Sequence, residues 1–333
     1  MDKDQDDIQF IGLFGIYKES LTIINSWRNS FAKIALATIL PLSVVFLAHI
    51  EISELLFSEI LHNEDALDET RANTPRYAKL SHMISSEWTA FWIFKFFYFI
   101  FFLILSLLST SAIVYTIACI YTAKSMPSLY ELVTIVVPRV WKRLIVTFLW
   151  NFVIIFMYNV IAVLTFILWG FLFSPNVVGI VVLCIMVVLY LTGFVYINVI
   201  WHLASVVSVL EDVYGIQAMI KSKALIKGKM RVAAIMFLTV NLLFLGVQIV
   251  YQRFVVLEAS LWLRLFYGMI CLNFLVILIL LGLVIQTVIY FICKSYHHEN
   301  IDKLLLSDHL EAYLGHYVPL KSSMDVQLEQ FQL

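Results

Sequence analysis

The sequence predicts an all-α polytopic membrane protein: six transmembrane helices in three repeats, each an interfacial amphipathic helix followed by two spans. Three observations predict it. First, 62% of the 333 residues are hydrophobic, 15% aromatic and only 14% charged, with a mean hydropathy of +0.92. Such a chain has too little polar surface to cover a water-soluble globule, so its solvent is lipid. Second, the chain contains six apolar runs of the roughly 20 residues a helix needs to cross a hydrocarbon core about 30 Å thick. Third, an amphipathic stretch, a basic knot and two apolar runs recur three times. The copies align without gaps, Leu21 being followed seven residues on by Arg28, Leu132 by Arg139 and Ile220 by Lys227. Further cations follow in each copy: Lys33, then Lys142 and Arg143, then Lys229 and Arg231.

The elements follow in order. Residues 1–33 read as a cytosolic N-terminus with an amphipathic helix, 34–293 as the six-span domain and 294–333 as a cytosolic tail. The first span covers about 34–50 and contains Pro41, which lipid-embedded helices tolerate when neighbours satisfy the freed carbonyl. Residues 51–87 hold eight acids against three cations and read as an acidic, mobile non-cytosolic loop, although 50–61 could extend the first span as a helix. The second span covers about 96–121 and the third 144–171. Ser174, Pro175 and Asn176 form so short a turn that spans three and four, the latter about 177–201, must be an antiparallel hairpin. The fifth covers about 232–250 and the sixth 266–293. The acidic N-terminus lacks the cationic leader of a cleavable signal peptide.

Orientation follows from the Lys and Arg of the connections. Sixteen fall in the N-terminus, the second and fourth connections and the tail, against five on the other side, with Lys95 leading into span two. Both termini and all three amphipathic stretches are therefore expected to face the cytosol. Those stretches, 8–27, 129–141 and 209–226, carry apolar residues at helical spacing with cations where each meets its span. A helix of that kind lies in the interface, and each nearby cation gains about 1 kcal/mol from anionic lipid. The expected headgroup contacts are Arg28, Lys33, Arg139, Lys142, Arg143, Lys227, Lys229 and Arg231. The competing reading makes the stretches elbows packed on the bundle, with cations that merely mark the cytosolic boundary.

The run SVVSVLEDVYGIQAMIKSKALIKGKMR has an acidic pair, a Gly, a Ser between cations and a terminal Lys-Gly-Lys. It resembles a junction in bacterial six-span membrane domains, including those fused to glycerophosphodiester phosphodiesterases. The resemblance implies a junction role for Glu211, Gly215, Ser222, Lys227 and Gly228, and no catalytic domain accompanies it. More of the chain, including ESLTIINSWRNSF, PLSVVFLAH and CKSYHHENIDK, resembles a plant family of uncharacterised six-span proteins. That likeness spans nearly the whole length and implies only an integral membrane protein.

No catalytic constellation, metal site or cofactor motif is expected. Asp2, Asp4 and Asp6 have the first spacings of a calcium loop, but its Gly and bidentate acid positions are Asp7 and Leu13. No phosphate loop, nucleophile elbow or paired-cysteine zinc signature occurs. His297 and His298 beside Glu299 and Asp302 read as a solvated helix start, because two imidazoles lack a placed third ligand. Cys119 and Cys293 lie where palmitoylation is physically possible, though such cysteines usually pack.

Polar residues within the spans are costly to bury without partners. These are Asn151 and Asn159 in span three, Asn198 and His202 in span four, Asn241 and Gln248 in span five, and Asn273 and Gln286 in span six. Their usual role is hydrogen bonding between helices; a polar path is the alternative. Lys95 is expected to snorkel outward past Trp88 and Trp92. The expectation is a non-enzymatic protein that organises membrane lipid or partners through cytosolic interfacial helices, in an endomembrane or the plasma membrane. A homo-oligomer or a membrane-protein partner fits it, and nucleic acid does not. A transporter or lipid-translocating protein with a route between spans three to six is the second reading.

Overall fold

A computed structural model describes residues 12–70, 74–122, 129–172, 176–257 and 260–297. Among them every regular element is helical. The helices are α1 (Leu13–Ser26), α2 (Arg28–Asp68), α3 (Pro75–Tyr121), α4 (Val137–Leu172), α5 (Val177–Leu210), α6 (Ile216–Leu225), α7 (Met230–Val256) and α8 (Leu261–Tyr296). Six of these, α2 to α5, α7 and α8, are long and apolar enough to cross a membrane. The alternation of short connections makes neighbours antiparallel, so α1, α6, the end of α3 and the end of α8 gather at one end, called here the basic end.

Two of the three π turns among the described residues have a common local cause. Pro41 and Pro138 each lie two residues past a π turn, Ala35–Ile39 and Leu132–Val136. Each proline lacks the N–H for the carbonyl four residues back, and its ring presses on that turn, which widens rather than breaks. The third π turn, Gln252–Val256, has no proline after it. Thr74 and Asn176 cap the starts of α3 and α5. Thr74 accepts from the Tyr77 amide at 3.2 Å with Pro75 in the first turn, and Asn176 accepts from the Gly179 amide at 2.8 Å. Asn176 thus closes the α4–α5 connection, of which Ser174 and Pro175 lie outside the described residues.

The main core sits in the basic half of the bundle. It joins Ile113, Tyr115 and Ile117 of α3, Leu203 and Val207 of α5, and Val288 and Tyr290 of α8, with Ile16 and Ile23 of α1 beneath. Ser109, Ser111 and Thr116 are buried on α3, their hydroxyls turned back to the carbonyls of Leu105, Leu107 and Ala112. Small side chains whose hydroxyls bond their own helix let neighbouring backbones approach closely. A second, smaller cluster, including Leu47, Tyr251, Val255 and Cys271, joins α2, α7 and α8 toward the other, acidic end. Beyond Asn151 and Val199 the α4–α5 hairpin leaves both cores and presents apolar side chains outward.

The acidic segment departs from the expected loop. Helix α2 continues to Asp68 and α3 begins at Pro75. At about 1.5 Å per residue the 41 residues of α2 and 47 of α3 are each roughly twice as long as the ~30 Å thickness of a bilayer core, so the pair is long enough to project past it. Polar ties cross the projecting hairpin: Asn63 donates to Glu87 at 2.7 Å and the Trp88 indole to Glu64 at 3.2 Å. Lys95 is held inward rather than snorkelling. Its ammonium lies 2.8 Å from both His49 Nε2 and Ser53 Oγ and sits over the Phe91 ring.

Candidate functional site at the basic end

Helix α5 ends at Glu211, where the backbone turns extended and the chain reverses into α6. The turn requires Gly215, whose φ of 65° and ψ of −137° are open to glycine and strained for other residues. Space is tight as well, since a Cβ there would lie 3.2 Å from the Trp150 ring, which would have to give by a few tenths of an ångström. Thr147 of α4 fixes this reversal. Its hydroxyl accepts from the Gly215 amide at 2.7 Å and lies 2.7 Å from Ser208 Oγ of α5. Ser222 of α6 then donates to the Ile200 carbonyl at 2.8 Å, which pins the short helix back against α5.

Glu211 is the electrostatic hub. Lys221 of α6 reaches its Oε2 at 2.6 Å, while Tyr290 and Lys294 of α8 reach Oε1 at 2.7 and 3.1 Å. Burial pushes the Glu211 carboxyl upward, but the hydrogen bonds from Lys221 and Tyr290 and the Lys294 charge outweigh it and hold the group below its usual range. Its neighbour Asp212 pairs with Arg143 of α4 at 2.5 Å. The second glycine, Gly228, has φ 96°, and Tyr296 covers it so closely that a Cβ would lie 2.8 Å from the ring. Lys229 lies over that ring at 5.3 Å, and His297 Nε2 lies 3.1 Å from the Lys227 carbonyl. Glu211, Gly215 and Ser222 thus link α4, α5, α6 and α8 at one elbow.

The expected headgroup cations divide into two groups. Arg28, Lys33, Lys142, Lys227 and Arg231 are exposed. Arg143 is half-buried and pairs with Asp212, so its charge is partly met within the protein. Lys229 is half-buried against Tyr296. The side chain of Arg139 lies outside the described residues, as do His298, Glu299 and Asp302. Among the described residues no group of three His, Cys, Asp or Glu side chains is placed to hold a metal ion. Cys119 and Cys293 are buried, which leaves neither thiol open to an acyl donor.

The intramembrane polar residues go to separate places. His202 stacks on Phe237 and meets Gln286 Oε1 at 3.1 Å; a carbonyl oxygen only accepts, so this contact needs the proton on Nδ1. Both line a 120 Å³ cavity with Ser106, Thr110, Thr147 and Ser205, and Gln286, 3% exposed, keeps an Nε2 without a protein partner. Asn151 is buried, with its Oδ1 also unpartnered. Asn159 instead accepts from the Tyr190 hydroxyl at 2.9 Å, between α4 and α5. Asn198, Asn241 and Asn273 donate to carbonyls four residues back on their own helices. Gln248 is half-buried on α7. Of the intramembrane polar residues named from sequence, His202 and Gln286 line this cavity.

Sequence reasoning missed Lys221, Tyr290, Lys294, Thr147 and Ser208. Lys221 is ten residues past Glu211 and faces it only because Gly215 reverses the chain. Tyr290 and Lys294 are one helical turn apart and share the face of α8 turned to Glu211, a spacing visible in sequence that names no partner.

Six apolar helices of this length place the protein in the class of multi-pass integral membrane proteins. The chain belongs to the family described as Domain of unknown function (DUF8558), which it matches over residues 1–331. No curated protein and no solved structure matches it.

Proposed function

We propose that the protein is a non-enzymatic integral membrane protein whose basic end faces the cytosol and organises anionic lipid, or partners held at the lipid surface, through its interfacial helices. The observation that supports this reading is the pair of apolar faces on α1 and α6. Ile16 and Ile23 of α1, and Ala218 and Leu225 of α6, are buried on the bundle. On other sides Phe14, Leu21, Trp27, Ile216 and Ile220 remain exposed, Phe14 at 90%, beside exposed Arg28, Lys33, Lys227 and Arg231. An elbow that only packs has no use for the second apolar face; a helix in the acyl boundary does. The excess of cations at this end supports the cytosolic side. The first and third copies of the repeat support the same reading, since aligned Ile23 and Ser222 are both buried and Arg28 and Lys227 both exposed, whereas the second copy differs, with Thr134 exposed and Leu132 buried. The likeness to an uncharacterised plant family is compatible with the family match, and an endomembrane or the plasma membrane suits this topology. A polar route through spans three to six is less favoured, because only His202 and Gln286 of its residues line one cavity, while Asn159, Asn198, Asn241 and Asn273 bond elsewhere.

The test uses the full chain in nanodiscs of mixed neutral and anionic lipid. Retention of anionic lipid is measured as salt rises, for the native chain and for Arg28→Glu, Lys142→Glu, Lys227→Glu and Arg231→Glu combined. The reading expects preferential retention that salt weakens and the reversals abolish. Unchanged retention in the reversed protein would remove it. Arg143 is left intact so that loss of its Asp212 pair does not confuse the result.

A further inference from the structure

At the acidic end, far from the basic elbow, a groove of about 410 Å³ opens between α2 and α8 with α7 as its floor. That volume is within the roughly 300–1,000 Å³ usual for small-ligand sites. Its walls are helical stripes. Val44, Leu47, Ala48 and Glu51 share one face of α2, and Leu261, Arg264, Leu265 and Gly268 begin the facing stripe of α8. Val44, Leu261, Leu265 and Met269 are exposed, so the groove opens sideways to the surroundings of the helices rather than along their axis. Gly268 makes the wall concave: a Cβ there meets nothing nearer than Val255 Cγ1 at 4.0 Å.

The polar groups of this groove sit at one end only. Arg264 donates to Glu51 Oε1, and the Tyr251 hydroxyl lies 3.4 Å from Glu51 Oε2. Helix direction sets the polarity of the groove. Residue 51 is nearer the acidic end of α2 than residue 44, and residue 264 nearer that end of α8 than residue 272. The charged pair is therefore at the outer lip, and the apolar walls descend from it toward the middle of the span.

We propose that this groove binds a zwitterionic phospholipid of the leaflet at the acidic end, with one acyl chain along the apolar walls, the phosphate on Arg264 and Tyr251, and the headgroup ammonium on Glu51. The order of groups matches that of a lipid in a bilayer, charged at the interface and apolar below. Charge selects the headgroup. Glu51 and Arg264 together carry no net charge and offer one site of each sign, which a zwitterion satisfies completely. An anionic lipid would satisfy Arg264 and be repelled by Glu51. The site does not depend on the reading given for the basic end, which concerns the opposite leaflet and opposite charge.

Native mass spectrometry of the full chain released from detergent tests the site, with phosphatidylcholine and phosphatidylglycerol titrated separately. Gly268→Leu adds bulk to the groove at a position where a Cβ has ordinary room, and Leu265→Trp covers its mouth from an exposed position. The native chain is expected to retain one phosphatidylcholine under activation that strips other lipids. Both variants lose it. Glu51→Gln shifts preference toward phosphatidylglycerol by about tenfold, the worth of one charge-assisted contact. If Gly268→Leu fails to fold, Leu265→Trp decides alone. Phosphatidylcholine retained by the folded variants overturns the proposal. Equal retention of phosphatidylglycerol by the native chain also overturns it. So does a dimer lost in Leu265→Trp, which would give the groove to a second copy of the chain.

Discussion

Thr147 and Glu211 each hold several neighbours, so single substitutions there act on the whole elbow. Thr147→Val keeps the volume but leaves the Gly215 amide and Ser208 without their shared partner. Leaving one buried group unsatisfied costs about 1–3 kcal/mol, so thermal unfolding in detergent should show a clear drop in midpoint. An unchanged midpoint would mean that the reversal is held by other contacts. Glu211 predicts a pH dependence. Its carboxyl titrates lower in the folded protein than its ordinary value of 4.5. The folded state then binds the proton less readily than the unfolded state, so its contribution is complete above that value and is lost as pH falls through the lower folded one. Melting followed from neutral pH downward should decline below about pH 4.5, and Glu211→Gln should remove that part of the decline. A variant with the same acid profile as the native chain would contradict the assignment.

At the scale of elements, the α4–α5 hairpin depends on its own contacts because it leaves the core beyond Asn151. The Tyr158 hydroxyl donates to the Tyr190 carbonyl at 2.7 Å, directly over Gly193, where a Cβ would lie 2.4 Å from that hydroxyl. Gly193→Ala should therefore displace Tyr158 and lower the melting midpoint. In a Tyr158→Phe background the same change should cost much less, since the obstructing oxygen is gone. Additive effects in that double-mutant cycle would show that Gly193 serves another purpose. The hairpin itself was legible in the sequence from its two apolar runs and a three-residue turn. The packing of its outer half was not, because apolar side chains facing lipid and those facing a core have the same composition. The acidic hairpin was misread for a related reason. Acids in 51–87 suggested a loop, whereas α2 and α3 pair their faces through Asn63, Glu87, Glu64 and Trp88, and such cross-helix matches carry no local signal. The junction residues were legible by type, with Gly215 and Gly228 at positive φ, but Lys221, Tyr290 and Lys294 acquire their role only once the chain folds back.

Across the whole molecule, chemistry is divided between two ends. The basic end gathers α1, α6 and the exposed Arg28, Lys33, Lys142, Lys227 and Arg231. The acidic end extends α2 and α3 past the apolar region and holds the Glu51–Arg264 lip. Positive residues favour the cytosolic side of short connections, and this division is the ground of the orientation we propose. With six spans, α1, the 226–229 turn and the last turn of α8 fall at one end and the helix ends at Asp68 and Pro75 at the other, so the proposed orientation puts the first three in the cytosol. Topology mapping in intact cells measures this most directly, with single accessible cysteines or epitope tags placed at 123–128, at Lys227, at the C-terminus and at 71–73. The account predicts that the first three are protected from an impermeant reagent until the membrane is opened, and that 71–73 reacts from outside or from the organelle lumen. Lys227 and the C-terminus found on opposite sides, or 71–73 found on the cytosolic side, would contradict it.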